Sequence, residues 1–126
     1  MSERALIGQK VREFCDDLWQ RGDFWDFESS EYERARCKLV EALNLGLDTA
    51  TEGRAHYVLG LVEYYLSDMK AAKREFELSV KTADPKYLGE QIWEWLEVTS
   101  RALGLQGEAE NYRKLKVDVQ PKPEVN

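Results

Sequence analysis

The chain has 126 residues, and its 18 basic and 24 acidic residues give a formal net charge of −6. Strong helix formers make up about half of the sequence, whereas valine, isoleucine and threonine are too few for a sheet of ordinary size. We therefore predict a single all-helical domain, and we expect no nucleic-acid partner because phosphate contact needs a surplus of lysine and arginine.

The amino-acid pattern predicts a cytoplasmic protein with no membrane partner. The N-terminal residues lack the apolar segment of a secretory signal, and no stretch approaches the ~20 apolar residues of a membrane span. Cys15 and Cys37 both fall on predicted apolar helix faces. We expect them to be buried thiols in a reducing compartment rather than a disulfide or a metal site.

The first predicted helix covers about residues 3–21 and is followed by an aromatic connector, residues 23–29. Apolar residues at helical spacing define one face of this helix: Val11, Phe14, Cys15, Leu18 and Trp19. The connector reads DFWDFES, and its aromatic residues are Phe24, Trp25 and Phe27. Two interpretations remain open: these side chains fold back and seal the end of the helical array, or they form an exposed docking loop.

Ser30 and Glu33 form a capping-box pattern at the start of the second predicted helix, which ends near residue 45. Gly46 follows that end, where a left-handed cap is common. The apolar face of this helix consists of Tyr32, Ala35, Leu39, Ala42 and Leu43. This periodicity predicts an amphipathic helix with one buried face.

Thr49 and Glu52 form a further capping-box pattern, and the third predicted helix extends from there to about residue 66. It carries apolar residues along two lines: Ala55, Leu59, Val62 and Leu66 on one, and Tyr57, Leu61, Tyr64 and Tyr65 on the other. Two apolar faces predict a helix that packs between two neighbours.

Three further helices complete the prediction, over about residues 68–83, 85–103 and 107–116, of which the last is the shortest. Asp68 is the expected N-cap of the first of them. Asp84 and Pro85 mark the start of the next, because an acidic N-cap followed by proline at the first helical position is a typical start signal. Residues 117–126 contain two prolines and no periodicity, so we expect a flexible tail.

An internal repeat links three of these helices. Ala35, Ala72 and Ala109 are spaced 37 residues apart, and a large apolar residue, Leu39 or Phe76, follows four positions after each of the first two. In the third unit the corresponding positions are polar, which predicts a solvated terminal helix. Small residues at a fixed spacing permit close helix approach, so the repeat predicts stacked helical hairpins.

This pattern resembles the tetratricopeptide repeat (TPR) family. The best match is residues 56–79, HYVLGLVEYYLSDMKAAKREFELS, with its Leu59-Gly60 pair followed by Ala72 and Phe76. The resemblance implies one all-α domain, residues 1–116, with three antiparallel hairpins, about 3–45, 50–83 and 85–116, stacked as a short TPR-like solenoid. The spacing exceeds the ~34 residues usual for the family, and Glu97 replaces the family's glycine in the third unit.

The resemblance also implies a function. Members of the family line a groove with the first helices of their hairpins, so the chain is expected to be a non-enzymatic adaptor that binds a peptide or helix of a partner protein, with no cofactor or metal. Tyrosine and arginine are enriched in such interfaces. We expect Arg54 and Arg101 to pair with carboxylates of the partner. By the family's register the groove residues are Arg54, Tyr57, Leu61, Tyr64, Tyr65, Gln91, Glu94, Val98 and Arg101.

Three alternatives remain open. The ends of a short solenoid expose apolar faces, so the chain is alternatively a self-associating structural module, a homo-oligomer. Residues 22–43, GDFWDFESSEYERARCKLVEAL, resemble the segment that precedes the catalytic domain of nodulation-type S-adenosylmethionine methyltransferases, which implies an accessory role in such an enzyme system. An enzyme is disfavoured, because no phosphate loop or nucleophile–base pair is present and the only histidine, His56, is expected to be a packing residue.

Overall fold

A computed structural model of the chain describes residues 28–85, 88, 89 and 91–119, together with residues 6, 9, 10 and 13. Within these residues the chain forms helices and no strand, which confirms the predicted all-helical class. The helices are α1 (Ser29–Leu45), α2 (Thr49–Tyr65), α3 (Met69–Thr82), α4 (Gln91–Ala102) and α5 (Gln106–Val119). No helix in this part of the chain combines the length and the apolar character that crossing a bilayer requires.

Several predicted features fall on the rest of the chain. The first predicted helix lies outside the described residues except at positions 6, 9, 10 and 13, which are helical. The predicted docking residues Phe24, Trp25 and Phe27 also lie outside them, as does the tail beyond residue 119. Residues 117–119 belong to α5, so the last helix extends beyond its predicted end at residue 116.

Aspartate side chains cap two of the helices, α2 and α3. Asp48 is the N-cap of α2, where the Thr51 amide and hydroxyl donate to its carboxylate oxygens at 2.9 and 2.8 Å. The prediction of a cap at Thr49 is therefore wrong, because the preceding aspartate already supplies the acceptor. The cap at Asp68 is confirmed, since its Oδ1 accepts from the Ala71 amide at 3.0 Å. The cap at Ser30 is wrong: α1 begins at Ser29, after Glu28, which makes no side-chain capping bond.

This difference between the two helix starts gives a testable result. We expect Asp48→Ala to lower the free energy of unfolding by about 1 kcal/mol, because two donors at the start of α2 lose their acceptor. Ser30→Ala, a removal of one hydroxyl on an exposed helical residue, should change the free energy by no more than a few tenths of a kcal/mol. Urea unfolding followed by circular dichroism measures both, and equal losses would contradict the assignment of the caps.

Helix α4 corresponds to the helix predicted over about residues 85–103, but it begins later. Leu88 and Gly89 donate their amides to the carbonyl of Pro85 at 3.0 and 3.1 Å, which closes a single turn, and α4 starts only at Gln91. Gly89 has φ +88°, a left-handed conformation that cannot continue a right-handed helix. The start signal at Asp84 and Pro85 therefore initiates this turn and not α4.

Helix α2 is the centre of the described core. One of its faces packs on α1 in a cluster formed by Tyr32, Ala35, Leu39, Ala42, Ala55, Val58, Leu59 and Val62. The other face belongs to a second cluster with α3 and α4, formed by Tyr57, Leu61, Ala72, Phe76, Ala83, Leu88, Ile92 and Leu96. The expectation that this helix packs between neighbours is confirmed.

The buried face of α1 also corrects the prediction for Cys37, which is exposed. Buried residues of α1 recur at positions 32, 35, 39 and 42. Cys37 lies two residues from the nearest of them on either side, which is about 200° around the helix, so its thiol points away from the core. Cys15 lies outside the described residues.

The most extensive contacts join α2 to α3 and α4 to α5. Between α2 and α3 the backbones approach closely at Gly60, which faces the ring of Phe76, and the Ser79 hydroxyl donates to the Gly53 carbonyl at 2.6 Å. Over residues 106–116 of α5, the only fully buried residue is Ala109, while Arg113 is exposed. The expected solvated face of this terminal helix is therefore present.

Candidate functional site

Two of the predicted groove residues lie in the core. Tyr57 and Leu61 are only 2% and 6% exposed, because the α2 face that carries them is covered by Phe76 of α3 and Leu96 of α4. The ring of Tyr57 meets that of Phe76 edge-on, with centroids 5.8 Å apart. Burial raises the pKa of the Tyr57 phenol, so this group stays neutral. Tyr57 and Leu61 are therefore core residues of this structure, and the candidate site does not include them.

Tyr64 and Tyr65, at the end of α2, belong to an aromatic cluster that we define as Tyr32, Tyr64, Tyr65 and Trp95. Tyr32 stacks on Tyr65 with centroids 5.7 Å apart, and Tyr65 meets Tyr64 edge-on at 5.2 Å. Tyr64 in turn meets Trp95 of α4 edge-on at 4.9 Å. Each such ring pair contributes about 0.5–1.5 kcal/mol beyond its buried area, so the cluster joins α1, α2 and α4 at one place.

Three members of the aromatic cluster, Tyr64, Tyr65 and Trp95, are only half-buried. Burial raises the pKa of Tyr65, with a smaller contribution from neighbouring Tyr64, so its hydroxyl remains a neutral donor and acceptor. Trp95 is a site residue that the sequence prediction missed. The signal was its position in α4, four residues after Gln91 and three before Val98, which places it beside the predicted groove residues of that helix.

The remaining predicted residues are all exposed: Arg54, Gln91, Glu94, Val98 and Arg101. Two of them already form polar contacts within the chain, Glu94 with α5 and Arg101 with both α4 and α5. Glu94 lies 3.6 Å from Lys116, and Arg101 bonds to Glu97 at 2.9 Å. Arg101 also reaches Gln106. A partner carboxylate would have to displace these groups, so the expected role of Arg101 in pairing with a partner does not follow from its position.

His56 of α2, expected to be a packing residue, is half-buried and makes a specific polar contact with α3. Its Nδ1 is 2.7 Å from Oε2 of Glu75, a carboxylate that is itself buried. Another buried carboxylate, that of Glu63 on α2, lies 3.5 Å from Arg36 of α1. Each of the two pairs joins neighbouring helices. Among the described residues, no group of three or more histidine, cysteine or acidic side chains is placed to hold a metal ion.

A further ion pair holds α5 against α3. The ammonium of Lys73 lies 2.9 Å from Glu77 on its own helix and 3.0 Å from Glu108 on α5. Burial acts to lower the pKa of Lys73, but its hydrogen bonds with the two glutamates outweigh that effect and leave the pKa raised. One turn further along α5, on the same side of the helix as Glu108, Tyr112 stacks on Trp93 of α4 at 6.3 Å. These contacts set the position of α5 relative to both preceding helices.

One surface therefore remains as the candidate site, and we call it the α2–α4 face: Tyr64, Tyr65, Gln91, Trp95 and Val98. It combines half-buried aromatic rings from α2 and α4 with the exposed Gln91 and Val98 of α4. Among these five residues the two tyrosines are the only ionisable groups, and the exposed carboxylate of Glu94 borders them on α4, so the chemistry of the face is mainly apolar contact and neutral hydrogen bonding. Comparison of the chain with family models, with curated proteins and with solved structures found no match.

Proposed function

We propose that the protein is a non-enzymatic adaptor that binds a peptide or helix of a partner protein across the α2–α4 face. The observation that carries this proposal is the meeting of Tyr64, Tyr65 and Trp95, from two helices, within ring-centroid distances of 4.9–6.4 Å, while all three stay partly accessible. Tyrosine and tryptophan dominate binding hot spots because they offer a large contact area with few rotatable bonds.

We propose further that the helices form a TPR-like array. The repeat residues Ala35, Ala72 and Ala109 are all buried, and so are Leu39 and Phe76, the large residues that follow the first two. The contacts between α2 and α3, and those between α4 and α5, are more extensive than the contacts between α3 and α4. Burial of the repeat positions and pairing of consecutive helices both support stacked hairpins.

Self-association is the second candidate function. Leu103 and Leu105, at the turn between α4 and α5, are exposed apolar residues that a second copy of the chain would cover. Against it, α5 exposes the polar residues Asn111 and Lys114, as is typical of a helix that caps the end of an array, although Leu115 of the same helix is also exposed. An accessory role in a methyltransferase system has only the resemblance of residues 22–43 in its support.

A change at Val98 tests the adaptor proposal. We expect Val98→Glu to reduce capture of the partner by at least about tenfold, because a carboxylate beside the aromatic rings opposes desolvation of the face. Val40→Glu on α1 is the matched control, since Val40 and Val98 are 41% and 36% exposed and the substitution is the same. Affinity purification of the tagged chain from its source cells, with quantitative mass spectrometry, measures the capture of bound proteins.

The two variants also separate the candidate functions. A set of proteins that is lost with Val98→Glu but retained with Val40→Glu supports the adaptor. Identical sets for the two variants would contradict it. Loss of only a second, differently tagged copy of the chain would replace it with self-association. Circular dichroism of both variants checks that each is folded.

A further inference from the structure

The exposed side of α3 is a basic stripe, which we define as Lys70, Arg74, Leu78 and Lys81. These are the only exposed residues of α3, with Leu78 36% exposed and the Arg74 side chain 71% exposed. Their spacing of four, four and three residues places them within an arc of about 80° and along about 16 Å of the helix. Phe76, which packs toward α2, lies on the opposite side of α3.

The two carboxylates of α3 leave the positive charge of this stripe largely uncompensated. The two acids of α3 are directed elsewhere: Glu75 is buried and bonded to His56, and Glu77 is paired with Lys73. Arg74 approaches a carboxylate only at 3.9 Å, from that same Glu75. Among the described residues no acidic group lies within ion-pair distance of Lys70 or Lys81. The stripe therefore presents three cations around one exposed leucine, in a chain whose net charge is −6.

The chemistry of the stripe indicates the kind of partner that fits it. Its three cations favour acidic groups in the partner, and Leu78 between them favours an apolar side chain. An acidic amphipathic helix supplies both on one face. Long polyanions such as nucleic acid or an anionic membrane are disfavoured because the rest of the chain repels them. We propose that the basic stripe binds an acidic amphipathic helix of a partner protein, with an apolar side chain on Leu78 and carboxylates about one turn to either side.

This surface is separate from the α2–α4 face and is independent of it. A fluorescein-labelled helical peptide of about 20 residues is a suitable probe, with one leucine flanked on its face by glutamates about one turn before and after. A second peptide of the same composition, with its glutamates moved to the opposite face, is the matched control. Fluorescence anisotropy with the full chain at low ionic strength measures binding, because screening weakens exposed charge pairs.

Paired charge reversals test the position of the site. Lys70→Glu with Lys81→Glu should weaken binding of the acidic peptide by at least about tenfold, since two attractions become repulsions. Arg34→Glu with Lys114→Glu changes the net charge equally, at exposed positions on α1 and α5, and should weaken binding less than about twofold. A lysine version of the peptide should bind the first variant better than it binds the unmodified chain.

Three results would overturn the proposal. The first is equal weakening by both double variants, which would show an effect of net charge alone. The second is equal binding of the two acidic peptides, which would show that the leucine and the carboxylates need not share a face. The third is tighter binding to phosphatidylserine vesicles or to duplex DNA than to the acidic peptide. Circular dichroism confirms that the variants keep their helix content.

Discussion

Replacing Phe76 with alanine should lower the free energy of unfolding by about 3–5 kcal/mol, a large part of the stability of a domain of this size. Among the described residues, Phe76 is the largest side chain that is fully buried, at 0% exposure. Its ring contacts α2 at Gly60 and Tyr57, and it stacks on Trp95 of α4 with centroids 6.1 Å apart. The truncation therefore leaves a cavity where three helices meet, and urea unfolding followed by circular dichroism measures the loss.

Leu78→Ala is the matched control for this experiment. Leu78 lies on the same helix, two residues further along, but it is 36% exposed and belongs to the basic stripe. Its truncation should cost less than about 1 kcal/mol, because few buried contacts are lost and no closed cavity forms. Similar losses for the two variants would contradict the placement of Phe76 in the core.

Gly60→Ala should destabilise the protein by about 1–3 kcal/mol, although alanine is the better helix former. A Cβ atom at residue 60 would lie 2.5 Å from Cε1 and 2.6 Å from Cδ1 of Phe76. The ring of Phe76 is held on all sides and cannot move away, so α2 and α3 must separate. Thermal and urea unfolding give the change in stability.

Gly107→Ala supplies the matched control, because Gly107 is also helical and a Cβ there would meet nothing within 4 Å. We expect this change to stabilise the chain by about 0.5–1 kcal/mol, so the same substitution should have opposite signs at the two sites. Adding Phe76→Leu to Gly60→Ala should recover part of the loss, since the smaller side chain makes room for the Cβ. A stabilising Gly60→Ala would show that α2 and α3 do not approach closely at this point.

Local patterns were enough to predict most of the helical framework. The apolar face of α1, the two apolar faces of α2 and the cap at Asp68 all follow from neighbours within a few residues in the chain. The repeat alanines were expected at helix contacts and are buried. Such features depend on the spacing of apolar side chains along a helix and on the capping residue at its start. Both can be read directly from the sequence.

The start of α4 was less predictable from the same kind of signal. Asp84 and Pro85 have the residue types of a helix start, but the turn that they begin is stopped by the left-handed Gly89. A start signal fixes where a helical turn begins and does not determine how long it continues. That length depends on whether the following residues gain enough from packing to extend the helix.

The candidate site depended most on tertiary structure. Periodicity placed Tyr57, Leu61, Tyr64 and Tyr65 on one line of α2, and only the packing of α3 and α4 divides them into two core residues and two half-buried ones. The same packing brings Trp95 against Tyr64, although the two are 31 residues apart in the chain.

By itself, the sequence determined the helical class, the buried faces of α1 and α2 and the spacing of the repeat, because these follow from the side chains of each helix. Which tyrosines a partner can reach was decided only when the helices were brought together. A helix face is apolar whether another helix or a binding partner covers it, and only the arrangement of its neighbours distinguishes the two.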